Sequence, residues 1–139
     1  MKKILLLILI PFLYLSCSKE PETDNTTLEL LPVSEVELPA SFGVNKENII
    51  KVKFVRPTDC YAFNQFYYEI EGTISTIAVE STLFHYNNGA CPPLQSNNVA
   101  TQILKFRPEQ TGEYTLKFWK GKDTNGGDVF LTYNILVQQ

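Results

Sequence analysis

The chain has 139 residues, 12 basic and 15 acidic, for a net charge of −3 at neutral pH with its single histidine uncharged. An acidic chain without a basic patch excludes nucleic acid as a partner. Aromatic residues make up 12% and helix formers are sparse, which favours strands.

Lys2 and Lys3 precede an apolar run, Ile4 to Leu15, relieved only by Pro11 and the Tyr14 hydroxyl. At about 1.5 Å rise per residue the run cannot cross a hydrocarbon core of about 30 Å. A short positive start and a short apolar run form a secretory signal. Ser16 and Cys17 close it, and polarity switches at once. The stretch LYLSC resembles the lipobox of bacterial lipoproteins. The resemblance implies a signal peptide over 1–16, acyl chains on Cys17, and attachment to the outer membrane of a cell envelope, with the periplasmic or surface face left open. One acyl chain holds only marginally, so two or more are needed. The alternative is an ordinary cleaved signal with Cys17 as a bystander.

The next stretch, SKEPETDNTT, is poor in apolar residues and holds Glu20, Glu22 and Asp24. It is expected to be a flexible tether, with 17–30 outside the folded unit. It is similar to the acidic post-cysteine stretch of Bacteroidetes-type lipoproteins. Cleavage removes Lys2 and Lys3 and no acid, leaving ten basic and fifteen acidic residues and a net of −5. Residues 31–139 are the size of one domain.

Within that domain, period-2 alternation recurs between turn signals. Val33 to Leu38 is the first expected strand, stopped by Pro39, and Asn48 to Val55 the second, stopped by Pro57. Tyr61 to Glu71 is the third. Tyr61 and Phe63 share one parity and Phe66, Tyr68 and Ile70 the other, which predicts a bulge at Asn64-Gln65. Ser75 to Phe84, Val99 to Phe106, Gly112 to Trp119 and Val129 to Val137 follow. Seven short strands predict an all-β, immunoglobulin-like Greek-key sandwich. The stretch QTGEYTLKF resembles the tyrosine corner of such sandwiches, which implies a backward bond from the Tyr114 hydroxyl to backbone.

Cys60 and Cys91 are the cysteines left after the anchor, and an exported domain should oxidise such a pair. No Cys-x-x-Cys spacing and only His85 as a histidine argue against zinc. In an immunoglobulin-like sandwich the second-to-third, fourth-to-fifth and sixth-to-seventh connections share one end. Cys60 and Cys91 fall in the first two of these and would crosslink them beside the loop 120–128. That end is the expected contact surface, with Asp59, Asn88, Lys120, Asp123 and Asn125 as candidate contacts. Trp119 and Tyr67 have outward parity and suit a glycan or protein ligand. Trp119 could instead fold back on its own hairpin.

Nothing in the chain carries a catalytic or cofactor motif. His85, beside Phe84 and Tyr86 at a strand end, reads as a packing or surface residue. Glu69, Glu71 and Glu80 sit on the solvent parity. The oxygens of DTNGGD resemble a calcium loop only in part, and a hairpin turn on Asn125-Gly126 accounts for them without metal. The expected role is therefore non-catalytic binding of a protein or glycan. RPTDCYAF and the order of loops resemble the chagasin family of cysteine-peptidase inhibitors at Pro57, Thr58 and Tyr61. Asp59-Cys60 stand in place of that family's Thr-Gly, and its Arg-Pro-Trp motif is missing after Trp119. The resemblance implies inhibition through the three loops as a second reading, with an envelope enzyme third.

Overall fold

The long strands bury one parity each, so the sheets stack with those faces together. The computed structural model describes residues 25–86, Cys91, Leu94 and 98–139, and among these it is all-β in two sheets. In chain order the strands are β1 (Thr26–Leu31), β2 (Val33–Glu37), β3 (Phe42–Gly43), β4 (Asn48–Val55), β5 (Tyr61–Glu71), β6 (Ile74–Phe84), β7 (Val99–Phe106), β8 (Gly112–Lys122) and β9 (Asp128–Gln138). The smaller sheet runs β2-β4-β7. The larger holds β5 and β6, then β8, β9 and β3, with β1 also on β6. Inward side chains of both form one core. Val36, Ile50, Val52, Phe54, Leu104 and Phe106 come from the smaller sheet, and Leu31, Ile77, Val79, Leu116, Phe118, Ile135 and Val137 from the larger.

Three expectations are corrected. The folded unit begins before residue 31: β1 lies within the stretch expected to be tether and pairs antiparallel with β6, Thr26 opposite Phe84 and Leu31 opposite Val79. Thr and Glu do not build a core, but a strand docking on an existing edge needs only its backbone and one buried residue, here Leu31. Secondly, β1 and the two-residue β3 raise the strand number from the expected seven to nine among the described residues. Thirdly, the order in the larger sheet is not that of the expected Greek key. β5 takes the outer position, and β6 lies beside β8 in a parallel pair, Ile74 opposite Thr115 and Ile77 opposite Phe118.

One edge of β6 therefore serves two strands end to end. β8 occupies Ile74 to Ile77 and β1 occupies Val79 to Phe84. β8 leaves at a bulge between Trp119 and Gly121. Gly121 has φ +113°, and Pro32, the bend between β1 and β2, would stand 3.6 Å from a Cβ placed there. Glycine tolerates that backbone where other residues are strained. The result is a fork: β1 and β8 diverge from a common edge.

The parity switch in β5 is the bulge the sequence predicts, with the register shifting between Phe63 and Gln65. Asn64 and Gln65 both donate to Glu80 Oε1, at 2.7 and 3.0 Å, which clasps the irregularity to β6. The Tyr114 hydroxyl donates to the Gln110 carbonyl at 3.1 Å, the backward bond implied by the tyrosine-corner resemblance. Cys60 and Cys91 form a disulfide, their Cα atoms 5.7 Å apart, inside the normal range.

Candidate ligand-binding face

The outer face of the larger sheet carries the parity that the core leaves unused. One cross-strand row runs over it: Tyr67 is opposite Ala78, and Trp119 is opposite Phe130. The β6–β8 register, continued one residue past Ile77 and Phe118, sets Ala78 beside Trp119. Strands lie about 4.8 Å apart, so Tyr67 and Trp119 stand roughly two spacings from one another with Ala78 between them. Ala78 is only 3% exposed although it faces outward; its neighbours rise around it. The row below is polar, with Glu69, Thr76 and Lys117 in register.

A groove of about 320 Å³ opens over this floor, bounded by Leu30, Tyr67, Trp119, Lys122, Asp128 and Phe130. It lies at the fork, where β1 supplies Leu30 and the departing β8–β9 hairpin supplies Lys122 and Asp128. Leu30 is 43% and Tyr67 46% exposed. Lys117 Nζ sits 4.5 Å from the centre of the Phe130 ring, a cation–π contact that fixes that aromatic.

Trp119 folds back on its own hairpin and still faces the outer groove. Its indole N–H donates to Asp128 Oδ1 at 2.9 Å, across its own hairpin, and its ring still lines the groove. Lys122 Nζ reaches the same oxygen at 3.0 Å. The Trp119 N–H first, and Lys122 next, hold the Asp128 carboxyl below the usual aspartate range. A depressed pKa means the contact persists above the unfolded-state value and is lost as pH falls through the folded one. Trp119 is the only tryptophan, so its emission reports this directly. Emission is expected to stay constant as pH is lowered to the ordinary aspartate value of about 3.9 and to change only below it. Asp128→Asn should remove that acid transition, and an unchanged transition in the variant would assign it elsewhere.

The other candidate contacts do not join the groove. Asp123 Oδ1 accepts from the backbone N–H of Asn125 (2.8 Å) and of Gly127 (2.9 Å). Gly126 takes φ +84° in the same turn. Asp123 and Asn125 thus build the hairpin. Lys120 is the extra residue of the bulge and is exposed. Asp59 is exposed beside the disulfide, in a loop closed by bonds from Cys60 N–H to Thr58 Oγ1 and from the Arg56 guanidinium to the Tyr61 carbonyl. Asn88 and Cys17 lie outside the described residues. His85 is at the surface, its Nε2 3.0 Å from Thr27 Oγ1.

Leu30, Ala78 and Phe130 join the groove without being expected from the sequence, whereas Lys122 and Asp128 belong to the expected 120–128 loop, Asp128 only as an oxygen of the DTNGGD stretch. Ala78 was visible in principle as the one small residue on the outward parity of its strand. Phe130 was hidden because the bulge at Lys120 shifts the hairpin register by one.

No protein-family model matches this chain, and neither a curated protein nor a solved structure is found to match it.

Proposed function

We propose that the chain is a lipid-anchored, non-catalytic module of a bacterial cell envelope that binds a glycan along the outer-face groove. The observation that supports it most is the Tyr67–Ala78–Trp119 row. Two aromatic walls flank a small apolar floor, with hydrogen-bonding groups at Glu69, Thr76, Lys122 and Asp128 around them. A pyranose ring has the matching chemistry, with apolar C–H faces to stack on rings and an equatorial belt of hydroxyls for the polar rim. This face is favoured over the β8–β9 turn of the expected loop platform, because Asp123 spends its carboxylate on the turn itself.

The test is titration of the chain with a panel of soluble oligosaccharides, read by tryptophan emission and by calorimetry. At least one should bind. Tyr67→Ala should weaken it at least tenfold, about 1.4 kcal/mol, and Ala78→Phe should abolish it by filling the floor. Undiminished binding in both variants overturns the groove; a peptide ligand that shows the same losses replaces the glycan with a protein. Inhibition of cysteine peptidases is the second reading, supported by the Cys60–Cys91 bridge, which ties the β4–β5 connection to Cys91. A papain-type peptidase assay decides it.

A further inference from the structure

The described chain begins at the same end of the sandwich as the disulfide. Asn25 accepts from the His85 N–H at 2.8 Å, and Thr26 lies opposite Phe84. Around this entry point the surface is apolar. Leu28 is 61%, Tyr86 61% and Phe84 38% exposed. Leu28 and Phe84 share the outer face, on neighbouring strands, with Thr26 and Thr82 between them. Tyr86 follows Phe84 by two residues at the rim of a shallow depression shared with Tyr61, Leu83 and Cys91. Leu28, Phe84 and Tyr86 are not part of the core cluster.

The length of chain outside the described residues supplies the occupant. Cys17 precedes Asn25 by eight residues. However they are arranged, eight residues reach no further than about 28 Å. We propose that this corner seats on the lipid surface to which Cys17 is attached, with Tyr86 at headgroup level and Phe84 and Leu28 beside it against the apolar boundary. The proposal rests on the attachment proposed above. Aromatic residues with one polar tip settle at the boundary between headgroups and acyl chains. A contact too weak to hold a free protein becomes effective once an acyl anchor confines it there. The charges choose the lipid. Glu20, Glu22 and Asp24 fall in the sequence between Cys17 and Asn25, and Glu29 and Asp59 are exposed on the described part, against Lys19 and Arg56, so an anionic surface would repel this end and a zwitterionic one would not.

The experiment uses the acylated full chain in zwitterionic phosphatidylcholine vesicles containing headgroup spin-labelled lipid. Trp119→Phe removes the native fluorophore, and Tyr86→Trp, Leu28→Trp or Ile70→Trp reinstates one. Ile70 is 66% exposed near the opposite end of β5. Emission from the Tyr86→Trp and Leu28→Trp variants should be quenched at least twofold more than from Ile70→Trp. Two corner positions keep the result readable if one variant fails to fold. Equal quenching at all three, or at none, in chain that floats with the vesicles and carries acyl chains on Cys17 by intact mass overturns the seating alone. Chain with a bare Cys17 that does not float overturns the attachment and the seating together.

Discussion

Asn48→Ala is expected to lower the unfolding free energy by about 3–4 kcal/mol. Asn48 is 7% exposed and begins β4. Its Oδ1 accepts from the Gly43 N–H at 2.8 Å. Its Nδ2 donates to the carbonyls of Gly43 (2.9 Å), Lys46 (3.1 Å) and Phe106 (3.1 Å). One side chain thus holds the β3–β4 turn closed and ties it to the end of β7. The same turn is bound to the far sheet by the Val44 N–H on the Gln138 carbonyl and to the β7–β8 loop by the Asn45 N–H on the Pro108 carbonyl, both at 2.8 Å. Truncation removes one accepted bond and two N–H protons shared among three carbonyls, worth about 1 kcal/mol per bond, and strands their backbone partners away from water. Urea denaturation should show a lower midpoint at an unchanged slope. Asn48→Asp sharpens the test. It keeps the acceptor for Gly43 but sets a negative oxygen against three carbonyls. It should cost more than alanine at neutral pH and recover part of the loss when acidified. A loss under about 1 kcal/mol for alanine would show that the turn closes without this residue.

Removing the Cys60–Cys91 disulfide is expected to cost about 3–4 kcal/mol. The bridge closes a loop with a sequence separation of 31, and the chain-entropy argument ties that length to the constraint on the unfolded state. Cys60 is 2% exposed, so Cys60→Ala with Cys91→Ala avoids burying a new hydroxyl. Reduction of the native chain and the double variant should lower the thermal midpoint alike. Tyr67 and Trp119 lie outside the crosslinked connections, so the fluorescence of the folded double variant should match the native. Free thiols in exported protein, or an unchanged midpoint after reduction, would remove the bridge from the account of stability.

The strands legible in the sequence are those that face the core. Asn48–Val55 and Val99–Phe106 each end two residues before a proline, and their limits coincide with the observed strands. The bulge in Tyr61–Glu71 is legible because a parity switch gives Tyr61, Phe63, Phe66 and Tyr68 a common inward face; Ile70, expected with them, is 66% exposed. β1 was not legible. Leu28 and Leu30 point outward and the strand exists because β6 offers an edge, which is information about a segment some fifty residues away. The parallel β6–β8 pair is of the same kind, since alternation specifies which face is buried and says nothing of neighbours. The site divides likewise. Parity places Tyr67 and Trp119 on the outside, but their joining through Ala78 depends on strand order, and the Trp119–Phe130 pairing depends on a bulge that Lys120-Gly121 makes.

The shared edge of β6 has a consequence for how the molecule assembles. Thr26 must find Phe84, and Ile77 must find Phe118, so neither partner of that edge can close locally, and high contact order slows folding. A chain synthesised amino end first presents β1 long before its acceptor arrives. Once β6 is present, its half from Val79 onward is an open template until β1 docks, and a β1 from a second copy fits it as well as the native one does, which is the condition for strand exchange between molecules.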